Sequence, residues 1–146
     1  MILPCPRSGL RVSARRHPHA VVCLLSALHV HCLTTQSPFE LWLAIPNKSR
    51  AQRIDYPPLR ILRFSGVGLT DGLEERRFDG VAVRVTSVAR TVADCFKFRN
   101  KVGLDVALEA LRESWAARRV TMDEYWRYAV QRRVSNVMRP YMESLS

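Results

Sequence analysis

The chain is poor in lysine and in acidic residues. Lys48, Lys97 and Lys101 are its only lysines, so arginine supplies nearly all of the 23 Lys and Arg residues, which outnumber 13 Asp and Glu. The formal net charge of +10 at pH 7 attracts polyanions such as nucleic acid, an acidic protein face or anionic lipid. Guanidinium groups match phosphates and carboxylates. Arginine scattered over solvated helix faces is the simpler alternative.

Cysteine is also scarce, and no two cysteines form a C-x-x-C pair. Three of the 4 Cys, at positions 23, 32 and 95, lie in apolar helical patterns, which predicts a reduced, cytoplasmic protein. His19 and Cys23 stand about ten residues before His29 and Cys32 on one predicted helix, a rise of ~15 Å. One ion with bonds of ~2 Å cannot join the two pairs. We therefore predict no metal site.

No apolar run is long enough to cross a bilayer. The segment Ala20–Val30 follows a basic stretch, an order that imitates a signal peptide, but no A-x-A cleavage site follows it. A buried helix and no contact with a membrane are the prediction.

Motifs for phosphate cradles and nucleophile elbows are lacking. Glu74 and Glu75 adjoin Arg76 and Arg77 on a predicted strand, where neighbouring side chains point to opposite faces. We predict no catalytic residue, no cofactor and no enzymatic activity. A metal-dependent nuclease that uses Glu74 or Glu75 is the enzymatic alternative, and it would need a second acid and a basic residue to converge there.

The first half of the chain alternates between helical and strand patterns. A helix is predicted from about Pro18 to Leu33, followed by strands at Glu40–Ile45 and Leu59–Phe64. Asp79-Gly80 predicts a tight hairpin turn between strands at Glu74–Phe78 and Val81–Val85, with one dry face. Gly66, Gly68 and Gly72 mark a turn region.

The last third reads as helices. Ser87 is predicted to cap a helix over Val88–Phe98, and Thr121 with Glu124 forms a capping-box pattern before another. Apolar residues at helical spacing also run through residues 104–115 and 134–145. The whole predicts an α+β fold with a small antiparallel sheet of about four strands, one N-terminal helix and a C-terminal group of about four helices.

The charged residues predict one buried ion pair, formed by Asp94, and one surface that binds nucleic acid or another partner. Asp94 lies inside an apolar helix and should find a partner in Arg90, Lys97 or Arg99. Arginine near aromatic residues can bind phosphates and stack bases. We expect Trp126 to be buried and the arginine pairs to be exposed. The candidate nucleic-acid or partner-binding residues are Arg76, Arg77, Arg84, Arg118, Arg119, Arg132 and Arg133.

Four strings of sequence resemble the AbiEi-type antitoxin family of type IV toxin–antitoxin systems. They are HAVVCLLSALHVHCLTTQSPFELWLAI (His19–Ile45), DYPPLRILRFSG (Asp55–Gly66), TSVARTVADCFKFRNKVGLDVALEAL (Thr86–Leu111) and VMRPYMESL (Val137–Leu145). They occur in the family's order, and the match runs from about Pro18 to the C-terminus.

The resemblance implies a regulatory role. Family members are typically a DNA-binding winged helix-turn-helix followed by a C-terminal antitoxin domain; they repress their own operon and oppose a nucleotidyltransferase-like toxin. This chain matches the C-terminal domain only. We expect residues 1–16 to be a flexible basic arm, a possible remnant of the N-terminal domain, and residues 17–146 to be the antitoxin domain. Operator DNA is then the implied partner, the toxin is the implied functional counterpart, and an inactive truncated remnant is a further alternative.

Overall fold

The computed structural model describes residues 20–33, 41–46, 59–64, 71–78 and 80–145. The basic arm, Gly66 and Gly68 lie outside these residues. The elements are β1 (Val21–Val22), α1 (Leu24–Val30), β2 (Leu41–Pro46), β3 (Leu59–Phe64), β4 (Leu73–Phe78), β5 (Val81–Thr86), α2 (Val88–Lys97), α3 (Arg99–Val102), α4 (Leu104–Ala116), α5 (Met122–Gln131) and α6 (Ser135–Glu143). The class is α+β, as predicted. Within the described ranges, no helix combines the length and apolar character needed to cross a membrane.

The sheet differs from the prediction in strand number and direction. It has five strands in the order β3-β2-β1-β5-β4. The β1–β2 and β4–β5 pairs are antiparallel, whereas β1–β5 and β2–β3 are parallel, so the sheet is mixed. The predicted four antiparallel strands are therefore wrong.

The missed strand is β1, at the centre of the sheet. Val21 and Val22 pair with β2 on one side and with β5 on the other, and α1 begins only at Leu24. The helix predicted to begin near Pro18 is thus wrong at its N-terminal end. A two-residue strand is too short to show alternation, and burial on both sides makes it resemble the apolar start of a helix.

The predicted hairpin is confirmed in its strands and in its dry face. Strand β4 pairs with β5 in register from Leu73–Thr86 to Phe78–Val81. Gly80 adopts φ +83°, the left-handed conformation that a tight turn requires. Val83 and Val85 are buried in an apolar cluster with residues of β1 and β2.

Both predicted helix N-caps are confirmed. The Ser87 hydroxyl accepts the N–H of Arg90 at 3.4 Å, and Thr121 with Glu124 forms a complete capping box at the start of α5. Five helices follow the sheet in the described part of the chain, one more than predicted, because the four-residue α3 separates α2 from α4.

Three helices end in the same hydrogen-bonded motif. After α1, α4 and α5, the left-handed residue donates to the carbonyl three residues back, and the next residue donates to the carbonyl five residues back. Glycine is usual at the left-handed position. Here it is occupied by Cys32, Arg118 and Arg133, at φ +60°, +55° and +61°. The chain thus places two exposed arginines where backbone geometry favours glycine.

The larger apolar core packs one sheet face against the helices. Trp42 and Phe64 contribute from the sheet, and Phe96, Tyr125 and Met138 contribute from α2, α5 and α6. The rings of Phe64, on β3, and Phe98, the residue after α2, are stacked in this core with their centroids 6.0 Å apart. The core fixes the helix ends on which the charged groups described below are placed.

Candidate nucleic-acid interface

A buried ionic cluster joins α2 to the end of α5. Asp94 is fully buried, and its Oδ1 accepts the Nε–H of Arg132 at 2.6 Å. Its Oδ2 lies 3.3 Å from Nε of Arg90, one turn earlier, which is an ion pair without hydrogen-bond geometry. The predicted Arg90 partner of Asp94 is confirmed. Arg132 is the partner that sequence reasoning missed.

Arg132 therefore does not fit the expectation that the arginine pairs are exposed. Only 8% of Arg132 is exposed, because its guanidinium serves Asp94 and lies 4.8 Å from the ring centroid of Phe64. Arg90 lies over the same ring at 5.4 Å. Cation–π contact and the carboxylate together stabilise two guanidinium groups within the core. Arg132 is a structural residue in this arrangement.

Arg90 also fixes the turn before β4. Its Nη1 donates to the carbonyl of Asp71 at 2.7 Å. The Asp71 carboxylate accepts from Nε2 of Gln131 at 2.6 Å and lies 3.4 Å from Nη2 of Arg127. The Gln131 hydrogen bond and the Arg127 charge hold the pKa of Asp71 below its usual value. The start of β4 is thereby tied to both α2 and α5.

The prediction that Trp126 is buried is also wrong. Its side chain is 38% exposed, and the guanidinium of Arg139 lies 5.2 Å from its ring centroid. Tyr125 and Tyr128, on either side of it in sequence, are buried. The Tyr125 hydroxyl shares a hydrogen bond with Ser114 in the core. Helix α5 thus turns its tyrosines inward and its tryptophan outward.

The arginines of the edge strand β4 do not share a face. Arg76 is paired in register with Val83, whose side chain enters the apolar cluster on one side of the sheet. Arg77 points to the opposite side because neighbouring strand residues alternate. Arg84, half-buried on β5, is paired with Glu75 and lies on the same side as Arg77. The seven predicted residues therefore do not form one surface.

Arg76 and Arg119 do meet, around His31. The Arg119 guanidinium donates to the carbonyl of His31. Glu74 links His31 to Arg76, with Oε2 lying 3.9 Å from Nε2 of His31 and 3.5 Å from Nη2 of Arg76. Burial lowers the pKa of His31, so the ring is neutral near pH 7 and its Nε2–H donates to the Thr86 carbonyl at 2.7 Å.

Arg118 and Arg139 line two surface cavities that share one lining residue. One cavity, of about 610 Å³, is lined by Trp115, Arg118 and Met122 among others. The other, of about 450 Å³, is lined by Met122, Trp126 and Arg139 among others. Met122 belongs to both. We call four exposed arginines the basic strip: Arg76 and Arg119, near His31, and Arg118 and Arg139, which line the two cavities. The cavity of Arg139 also contains the carboxylates of Asp123 and Glu143.

Arg133 belongs to a different group, at the far end of α5. Lys97 is exposed there, and its pKa is lowered first by partial burial, then by the charge of Arg132, with a further contribution from Arg133. The structure thus divides the predicted residues. Arg76, Arg118 and Arg119 lie on the basic strip, while Arg77, Arg84, Arg132 and Arg133 have other surroundings. Arg139 was missed because its nearest aromatic partner, Trp126, is on another helix.

In the described residues, no three or more His, Cys, Asp and Glu side chains are placed to hold one metal ion. Glu74 is engaged with Arg76 and His31, and Glu75 lies on the opposite face of β4. No protein-family model matches the chain, and no curated protein sequence matches it significantly.

Proposed function

We propose that this protein is a cytoplasmic antitoxin and transcriptional-regulator module of the AbiEi type, which works by binding nucleic acid through the basic strip. In this role it represses its operon and counters a nucleotidyltransferase-like toxin. The observation that carries the proposal is the placement of Arg76 and Arg119 near His31, with Arg118 next to Arg119 in sequence and lining a cavity that shares Met122 with the cavity of Arg139.

The strings that resemble the family supply the elements around this strip. The described parts of the first string form β1, α1 and β2, and the string beginning at Thr86 forms α2, α3 and the first half of α4. Arg118 and Arg119 follow directly at the end of α4. The resemblance and the strip therefore concern the same packed unit.

Charge and arginine chemistry support a polyanionic partner, and the proposal commits to nucleic acid. A net charge of +10 creates a field that acts on any polyanion, and arginine forks can pair with successive phosphates. Arg118 keeps a side chain at a backbone position, φ +55°, where glycine would be less strained.

The double substitution Arg118→Glu/Arg119→Glu is expected to weaken binding to a labelled duplex by about a hundredfold at low salt. Each lost phosphate contact also reduces the slope of log K against log salt, by about 0.9 per contact. Fluorescence anisotropy across a salt series measures both quantities.

The matched control is Arg60→Glu/Arg63→Glu. These exposed arginines lie on β3, at the edge of the sheet opposite β4, and their substitution changes the net charge by the same amount. Binding that falls equally in both double variants would show that only net charge matters, and the basic strip would be excluded. Binding of an acidic protein but no nucleic acid would assign the strip to protein contact.

Co-expression tests the antitoxin role itself. Cells that produce a nucleotidyltransferase-like toxin of a type IV system should recover growth when the wild-type chain is supplied. The Arg118→Glu/Arg119→Glu variant should restore less growth at equal protein abundance, because polyanion contact is reduced. Absence of any rescue by the wild-type chain would favour the inactive-remnant alternative over the antitoxin role.

A further inference from the structure

The outer face of α5 carries an apolar stripe whose first residue, Met122, is half-buried against the core and whose other two residues are exposed. Buried Tyr125, Tyr128 and Ala129 form the inward face. Met122, Trp126 and Val130 recur every four residues, so they follow a neighbouring line on the same helix. Trp126 and Val130 are 38% and 53% exposed. Exposed apolar side chains in a continuous line indicate a contact surface.

Each cavity beside this stripe combines one tryptophan with one arginine. The first contains Trp115 and Arg118, and the second contains Trp126 and Arg139. Trp115 packs against the buried Tyr125 ring at 6.3 Å, and Trp126 lies under the Arg139 guanidinium at 5.2 Å. Both indoles are therefore held in place by a second group while they line a cavity.

We propose that these two cavities accept two successive bases of a single-stranded nucleic acid. An indole offers a stacking surface for any base, and the Arg118 guanidinium in the first cavity supplies positive charge for a neighbouring phosphate. In the second cavity the charge of Arg139 is offset by Asp123 and Glu143. The cavities share Met122 as a lining residue, and the proposal places two adjoining nucleotides of one strand in them. The inference rests on the proposed function, and it specifies the ligand as an unpaired strand with accessible bases.

We expect the carboxylates that line the second cavity to favour bases with an exocyclic amino group. Asp123 and Glu143 are part of its lining. Carboxylates accept hydrogen bonds from exocyclic amino groups, as they do from N4 of cytosine, whereas thymine has no such group. Oligo(dC) is therefore the stronger probe, and oligo(dT) is the matched weaker one.

The test compares oligo(dC) of twelve nucleotides with an abasic oligomer of the same length. Wild-type protein is expected to bind oligo(dC) about tenfold more tightly than the abasic backbone, as base stacking predicts. Trp126→Ala should remove most of this preference, and Trp126→Phe, which keeps a ring, should retain most of it. Quenching of tryptophan fluorescence by oligo(dC), reduced in Trp126→Phe, reports the contact directly.

The Arg118→Glu/Arg119→Glu variant separates this inference from the proposed function. It should weaken binding of both oligomers, because the abasic backbone carries the same phosphates. If wild-type protein binds both oligomers equally, or if Trp126→Ala leaves the oligo(dC) preference intact, the base-stacking inference is wrong while phosphate binding by the strip stands. If wild-type protein binds neither oligomer nor duplex, the proposed function fails, and this inference fails with it.

Discussion

Replacing Asp94 by alanine is expected to reduce the free energy of unfolding by about 3–5 kcal/mol, the cost of removing one partner from a buried ionic cluster. Asp94 is fully buried and faces Arg132 at 2.6 Å and Arg90 at 3.3 Å. Without the carboxylate, two guanidinium groups are left beside each other in the core. A domain of this size has a total stability of about 5–15 kcal/mol, so much of it would be lost. Urea unfolding followed by circular dichroism measures the effect.

An exposed ion pair provides the matched control. Glu74 and Arg76 lie 3.5 Å apart, with 42% and 45% of their side chains exposed. Glu74→Ala should cost less than Asp94→Ala, because both side chains of this pair are partly exposed and water screens such pairs, although Oε2 of Glu74 is itself buried beside His31. A similar cost for Asp94→Ala would contradict the role assigned to the cluster.

A compensated variant tests the cause of the effect. Arg90→Met, Asp94→Leu and Arg132→Met together remove every charge of the cluster and keep side-chain volume. This triple variant should recover most of the stability lost in Asp94→Ala, because no uncompensated charge is then buried. Failure to recover would mean that the hydrogen bond from Arg90 to the Asp71 carbonyl, and not the charge balance, dominates.

Local signals predicted the parts of the fold that depend on residues close in sequence. Ser87 caps α2 by accepting the N–H of the residue three positions later, and Thr121 forms a capping box with Glu124 at the start of α5. The Val81–Thr86 strand is set by alternation and by the adjacent turn. In each case the stabilising contact lies within a few residues, so its residue types appear together in the sequence.

Long-range contacts explain the failures. Strand β1 is defined by partners in β2 and β5, and two valines show no period of their own. Arg132 is buried by a carboxylate 38 residues earlier, although arginine is usually exposed. The sequence did hold an indication that Trp126 points outward. Helix α5 has two lines of apolar residues, and the buried line consists of Tyr125, Tyr128 and Ala129, which does not include Trp126.

The site shows the same division. Composition predicted a basic protein, and the arginine pairs predicted some residues of the basic strip. Arg76 and Arg119 come close only because the end of α4 contacts the end of α1 at His31. The spacing of residues along the sequence does not encode this contact. Three of the seven proposed arginines belong to the basic strip for this reason, and Arg139 joins them from a helix that the charge pattern did not single out.

Gly72→Ala is expected to destabilise the protein by about 2–4 kcal/mol, because it combines backbone strain with overpacking. Gly72 has φ +69°, and an added Cβ would lie 2.8 Å from Cε1 of Tyr128 and 3.1 Å from Cβ and Cδ of Arg90. The Gly72 carbonyl accepts the Ser87 N–H at 2.7 Å, so the backbone cannot move away without losing that bond. Urea unfolding again gives the free energy.

Gly80→Ala separates the two causes. Gly80 has a similar φ of +83°, but an added Cβ would have no atom within 4 Å. It should therefore show only the backbone cost of about 1–2 kcal/mol, and the excess in Gly72→Ala measures the clash. Arg90 is held by Asp94, so the excess should shrink when Gly72→Ala is made in an Asp94→Ala background, where the side chain is released. Equal costs at Gly72 and Gly80 would show that Arg90 and Tyr128 give way freely, and the ionic cluster would then not be the rigid support on which the turn before β4 depends.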